Sequence, residues 1–226
     1  MKIDLHCHTV YSNHWFWGTD ALNTPREMIK AAIKRGLNGL AITDHQTVKG
    51  SLVGIKVAKK LDKNFLIIPG IEIRTKSGDI IGLGIKENVP DGLSIEQSVE
   101  KIHNLGGIAI AVHSFGQFIF RKCVGKEAVK ADAIEVFNAG SSSRSRDKKA
   151  LALAEKFNKQ KTAGSDAHYY KDVGNAGIIC NSDPIEEILK NKVKIFGNYT
   201  PYCDLAYLTV KKFSRSIKWR IVGKYD

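Results

Sequence analysis

The stretch Asp4-Leu5-His6-Cys7-His8-Thr9-Val10-Tyr11-Ser12-Asn13-His14 decides how the rest of the chain is read. Lys2 to His8 predicts a strand through the apolar alternation of Ile3, Leu5 and Cys7. Side chains two apart on a strand share a face, so His6 and His8 project together while the apolar residues pack behind them. His14 can return from the following loop. This is the geometry of a paired-imidazole metal site. An H-x-H pair alone is a common accident, but the seven histidines, at 6, 8, 14, 45, 103, 113 and 168, are not scattered. All except His103 close or follow a short apolar run, and His103, on a predicted helix, reads as a surface residue.

Working outward, Thr24-Pro25-Arg26-Glu27 predicts a helix start with a capping box and a proline at the first helical position. The helix runs from Pro25 to about Arg35 and ends at Gly36. Leu37 to Thr43 reads as a strand delivering Asp44 and His45, and Thr47 to Leu61 as a helix. Phe65 to Pro69 is a strand, with Glu72 just beyond a Pro69-Gly70 break. Lys76 to Asp79 reads as a hairpin turn into a strand over Ile80 to Ile85. A second capping box, Ser94 to Gln97, opens a helix to about Leu105. Strands then end at His113, at Asn138 and at Asp166-Ala167-His168.

Strands alternating with helices imply a parallel sheet, and about seven such units favour a closed α/β barrel over an open sheet. No G-x-G-x-x-G follows a strand, which argues against a dinucleotide fold. At 226 residues the chain suits one sizeable core. We expect a single domain over residues 1–226, with 205–226 a basic segment packed on or extending from it. No apolar run approaches the roughly 20 residues of a membrane helix, and the N-terminus has no leader pattern. The four cysteines form no C-x-x-C pair. Together these predict a cytoplasmic protein with reduced thiols and no membrane partner.

In a barrel the strand ends gather at one mouth, so His6, His8, His14, His45, Glu72, His113, Asp166 and His168 are expected to converge there. Eight side chains of ligand type exceed the three or four that one ion needs, which implies two or three divalent ions. Imidazole with carboxylate suits zinc, manganese or iron. Such ions clamp a phosphoryl group and ionise a bound water, so hydrolysis by metal-bound hydroxide needs no nucleophilic serine or cysteine. Neither G-x-S-x-G nor a P-loop is present.

Taken in order, Asp4-Leu5-His6-Cys7-His8, Ile42-Thr43-Asp44-His45, Gly70-Ile71-Glu72, Val112-His113, Glu135-Val136-Phe137-Asn138 and Gly164-Ser165-Asp166-Ala167-His168 resemble the PHP (polymerase and histidinol phosphatase) family over residues 1 to about 180. The resemblance implies a distorted seven-stranded, TIM-like (β/α)7 barrel with phosphoesterase activity on small phosphate esters or nucleic-acid ends. It places His6, His8, Glu72 and Asp166 on one ion, Glu72 and His113 on a second, and His14, His45 and His168 on a third. Histidine at position 14 is the trinuclear family's choice, where many relatives have aspartate. A third protein ligand for the second ion is not evident; Asp79, Glu135 or Asn138 is a candidate. Family phosphatases commonly carry an arginine where Gly140 stands, and Arg144 or Arg146 is a candidate to replace it.

The net charge is +12, and Lys211, Lys212, Arg215, Lys218, Arg220 and Lys224 crowd the end of the chain against Asp226 alone. A positive field suits a phosphorylated substrate or nucleic acid, though it also serves solubility. The Trp15-Phe16-Trp17 loop either stacks on a ring or packs over the barrel rim. Three functions remain: a metal-dependent phosphoesterase acting on a phosphorylated small molecule, a nuclease or nucleic-acid end-processing enzyme, and a non-enzymatic metal-stabilised scaffold binding RNA or protein through its basic tail.

Overall fold

The computed structural model describes residues 1–14, 18–116 and 122–222, without the side chains of 13, 14, 18 and 215–222. The Trp15-Phe16-Trp17 loop, the His14 side chain and the basic side chains beyond Ser214 therefore lie outside the described residues. The strands are β1 (Lys2–Cys7), β2 (Asn13–His14), β3 (Gly18–Thr19), β4 (Gly39–Ile42), β5 (Leu66–Arg74), β6 (Asp79–Leu83), β7 (Ile108–Ala111), β8 (Ala133–Asn138), β9 (Gln160–Gly164), β10 (Ala176–Ile179) and β11 (Lys194–Gly197). The helices are α1 (Pro25–Lys34), α2 (Lys49–Leu61), α3 (Ile95–Asn104), α4 (Arg144–Lys156), α5 (Pro184–Leu189) and α6 (Tyr202–Val222).

The large sheet runs β11-β10-β1-β4-β5-β6-β7-β8-β9. Its seven central strands, β1 and β4 to β9, are the expected barrel. Near-closure comes where Cys7 bridges to Ala167 and the His8 N–H donates to the Ala167 carbonyl at 2.8 Å. β10 and β11 extend the β1 edge outside that barrel.

The barrel is not wholly parallel. β6 runs against both neighbours, while the β1-β4, β4-β5, β7-β8 and β8-β9 pairs are parallel. The reason is the connection: only Thr75 to Gly78 separate β5 from β6, and a parallel return needs a dozen residues or more. The Thr75 hydroxyl donates to the Gly78 carbonyl at 2.6 Å and fixes this hairpin turn. Reversal has a functional consequence, since it brings the first residue of β6, Asp79, to the mouth where the other strands end.

Pro69 does not break its strand as the sequence suggested. β5 continues through it, pairing with β4 up to Pro69 and with β6 from Gly70 onward. Proline, which cannot donate, stands where the strand changes partners.

Both predicted capping boxes form: Thr24 with Glu27 on α1 and Ser94 with Gln97 on α3. α1 buries Met28, Ile29 and Ala32 against Leu40 and Ile42 of β4, together with Ala58 of α2. α3 and α4 cover the other side through Ile95, Ile102, Ala150 and Leu153. Ile3, Leu5, Ala41, Ile68, Ile81, Ile110 and Ala133, from six different strands, meet in one further cluster. Each such large side chain contributes about 1.5–3 kcal/mol when buried. The histidines on the same strands are thus held by a packed scaffold.

Candidate metal centre

The alternation on β1 works as the sequence predicts. Ile3, Leu5 and Cys7 enter the core, with the Cys7 thiol donating to the Ala41 carbonyl, away from the histidines. His6 and His8 face the mouth with ring centroids 5.1 Å apart, both fully buried.

Glu72 is the hub. Its Oε2 lies 3.3 Å from His6 Nε2, 3.2 Å from His8 Nε2 and 3.3 Å from His45 Nδ1, and its Oε1 lies 3.1 Å from His113 Nε2. Asp166 Oδ1 stands 3.4 Å from His6 Nε2 and 3.3 Å from His8 Nε2. His113 and Asp166 both hold left-handed backbone, at φ of 32° and 54°. Such strain in non-glycine residues persists where the surroundings over-determine it.

Among the described residues four overlapping groups of ligand-type atoms result: His6, His8 and Glu72; His6, His113 and Asp166; Glu72, Asp79 and His113; and His8, His45 and His168. Asp79 thus joins Glu72 and His113, the position for which three candidates stood open. Glu135 has a different part. Its Oε1 accepts from His6 Nδ1 at 2.9 Å, and its Oε2 accepts from the His113 N–H and from Asn138 Nδ2. It braces the cluster from behind, orienting imidazole as an outer carboxylate does. Gly164 makes that approach feasible, because a Cβ there would sit 2.3 Å from His6 Cβ.

Asp20 escaped the sequence reading. Its Oδ2 lies 3.4 Å from His45 Nε2 and 3.2 Å from His168 Nε2, and it is 4 % exposed. No strand end or apolar periodicity announces it. Nearby, Asp44 accepts from the Thr9 N–H and hydroxyl, and Ser12 Oγ accepts from the His45 N–H at 3.1 Å. These contacts tie the segment after β1 to that after β4.

Burial alone would raise the pKa of the carboxylates, yet facing imidazoles hold Glu72, Asp166 and Asp20 well below the usual range. Burial opposes charge on His6 and His8 as well. The neighbouring carboxylates outweigh it, raising His6 well above its ordinary value and His8 to about 9. His168 moves the other way, to about 4, through burial and the Lys212 ammonium of α6.

The donor set fits divalent cations. His8 Nε2 and Asp20 Oδ1 are buried without a hydrogen-bond partner, since His8 reaches its carboxylate neighbours by distance but not at a bonding angle. Carboxylates and imidazoles converging at 3.1–3.4 Å are a donor set of the kind that holds a divalent cation.

Fold and donor set together define a distorted α/β barrel with clusters of ligand-type side chains at its mouth. The family model described as the PHP domain matches residues 4–206, and the chain belongs to that family. An uncharacterized protein of Methanocaldococcus jannaschii is 43 % identical over 147 residues, 62 % of this chain and 82 % of that one. A "probable phosphatase" of Caldicellulosiruptor bescii is 26 % identical over 85 % of this chain and 92 % of its own. Among solved structures, one from Bifidobacterium adolescentis, proposed to be a metal-dependent phosphoesterase, aligns with a TM-score of 0.59 at 17 % identity, over 74 % of this chain and 87 % of that one. An amidohydrolase from Chromobacterium violaceum aligns at 0.63 and 18 % identity, over 86 % and 98 %. No helix among the described residues is long and apolar enough to cross a membrane.

Proposed function

We propose that the chain is a metal-dependent phosphoesterase that hydrolyses a phosphorylated small molecule, using His6, His8, His45, Glu72, Asp79, His113, Asp166, His168 and Asp20 as metal ligands. The single observation that carries this is Glu72, whose two oxygens face four imidazoles at 3.1–3.3 Å with Asp166 alongside. That arrangement suits a carboxylate bridging ions. When bound, two or three ions of zinc, manganese or iron supply Lewis acidity toward phosphoryl oxygens and lower the pKa of water to about 7.

The chain's own residues set the orientation. Glu135 Oε1 accepts a hydrogen bond from His6 Nδ1, so that Nε2, once a cation displaces its proton, would present its lone pair to the centre. His168 Nδ1 donates to the Asp166 carbonyl at 2.9 Å, so its Nε2 lone pair faces the Asp20 side. His6, His8 and Glu72 are closed off from water, whereas His113 and Asp166 keep 24 % and 22 % of their side chains exposed. Substrate therefore approaches over His113 and Asp166. The unpaired cysteines suit a reducing, cytoplasmic setting.

The test is phosphate release from p-nitrophenyl phosphate and a panel of small phosphate esters by protein loaded with manganese or zinc, with metal content measured in parallel. Turnover is expected that His8→Ala abolishes, highest at neutral to alkaline pH. A protein that holds these metals yet releases no phosphate from any ester, nor from nucleic-acid ends, sinks the reading.

A further inference from the structure

The open edge of the centre continues into a pocket lined by Ser114, Lys122, Asn138, Ser142 and Arg146, beside His113 and Asp166. Two polar atoms of that lining are buried without a partner: the Ser114 hydroxyl, 0 % exposed, and Asn138 Oδ1, 1 % exposed. The orientation of the Asn138 amide is fixed, because its Nδ2 donates to Glu135 Oε2 at 2.9 Å, which leaves the oxygen as the uncommitted end. One wall thus presents a hydroxyl and an amide oxygen, the kind of buried groups that native proteins pair with something.

The lining also holds two cations, Arg146 and Lys122, in addition to the carboxylates of Asp79, Glu135 and Asp166 that belong to the centre and its brace. Arg146 rises from the first turn of α4 and is steadied by Nη1 donating to Ser142 Oγ at 3.1 Å, while Lys122 lines the pocket from the segment after β7. Ser143, at the α4 N-cap, makes no side-chain capping bond, so the positive end of that helix adds to the field. Arg144, the other candidate from the sequence, turns away and lies over the Tyr199 ring at 5.2 Å. Asp147, an acid of this wall outside the ligand set, is engaged by Tyr199 and by the Asn138 N–H. Gly140 also lines the pocket, where a Cβ would lie 3.3 Å from Asn138 Oδ1 and 3.4 Å from Asp166 Cβ.

We propose that this pocket takes the leaving-group end of the ester and selects small, hydroxylated substrates bearing a second anionic group. Arg146 and Lys122 hold that carboxylate or phosphate, Ser114 donates a hydrogen bond to the substrate, and Asn138 Oδ1 accepts one from a substrate hydroxyl. The proposal rests on the phosphoesterase reading and adds its specificity determinants.

Two matched pairs test it on the metal-loaded full chain: 3-phosphoglycerate against glycerol 3-phosphate for a carboxylate, and fructose 1,6-bisphosphate against fructose 6-phosphate for a phosphate. In at least one pair the doubly anionic ester is expected to have the higher kcat/KM by about tenfold or more, the scale of a charge-assisted bidentate contact. Arg146→Gln should bring that ratio to within about twofold of unity, chiefly through KM, and Lys122→Gln should lower it by a smaller factor. Which pair shows the preference identifies the anion. A readout free of turnover is calorimetric binding of the preferred ester to Asp166→Asn protein, expected to weaken about tenfold when Arg146→Gln is added. Hydrolysis of p-nitrophenyl phosphate without preference in either pair overturns the pocket assignment and leaves the phosphoesterase reading standing. So does a ratio or affinity unmoved by Arg146→Gln. Release of phosphate from no ester at all removes both.

Discussion

The two sides of the centre are built differently. Around Glu72 the donors sit on strands or at their ends, His6 on β1, Glu72 on β5 and Asp79 on β6, and they are braced from behind by Glu135. Around Asp20 they sit on connections, with His45 beyond β4, His168 beyond β9 and Asp20 itself past β3. Their protons differ too. Neighbouring carboxylates raise the pKa of His6, His8 and His113, whereas His168 is pushed down to about 4. The strand-borne side has protons to lose; on the connection-borne side His168 offers a neutral imidazole at pH 7.

The largest effect should come from the hub. Glu72→Gln removes the charge that faces four imidazoles while keeping its shape. We expect a fall in kcat of at least about 1,000-fold, on the scale of losing a central electrostatic contact, with loss of more than one ion by elemental analysis. Retention of every ion with a mild rate defect would show that the two sides do not share Glu72, and the contrast drawn above would fail.

The proton difference gives the next effect. Since His6 is held well above its ordinary value of 6.5 and His8 at about 9, both carry protons at pH 7 that an incoming cation must displace. Affinity therefore rises with pH until these groups lose their protons, which for His8 is about 9. Zinc titrated in at pH 7 should release more than one proton for the tightest ion and bind roughly 100-fold more weakly per pH unit lost, about tenfold for each proton. Calorimetry in buffers of different ionisation enthalpy measures this directly. Uptake without proton release would contradict the ion-paired hub.

Glu135→Gln tests the brace. It keeps a hydrogen-bond acceptor for His6 Nδ1 but removes the charge, and losses of such outer carboxylates cost about 10- to 100-fold in metal affinity or activity. Rescue of the rate by excess metal would separate positioning from chemistry. An effect below about twofold would mean that strand placement alone fixes His6.

The same division explains what the sequence disclosed. His6, His8, Glu72 and His113 were legible because apolar strands of period two leave a polar residue at the mouth, a pattern visible without coordinates. The seven-stranded barrel followed from the same alternation with helices, and its reversed β6 was foreshadowed by the short turn at Ser77-Gly78. Asp79 was one of three candidates, since its arrival depends on that reversal rather than on a motif. Asp20 was not legible: a single acid on a connection has no period, and only the tertiary placement of His45 and His168 gives it a role. Glu135 was seen as a ligand candidate, but which side of His6 it would occupy depends on the missing Cβ of Gly164, a steric fact that spacing does not encode.

The smallest expected effect belongs to that unannounced residue. Among the described residues Asp20 pairs with His45 and His168, and the His168 imidazolium form that it would stabilise is already disfavoured by burial and Lys212. Asp20→Asn keeps the shape of the side chain and removes its charge, so the ion held with His45 and His168 should weaken while the Glu72 side keeps its own. Elemental analysis should then find one ion fewer per chain, with kcat lowered by about tenfold, the equivalent of roughly 1.4 kcal/mol. Because the β1, β5 and β6 donors do not touch Asp20, Tm measured with saturating metal should move little. Loss of all ions together would instead show that the connections and the strands form one cooperative centre, and the two sides would have to be read as a single site.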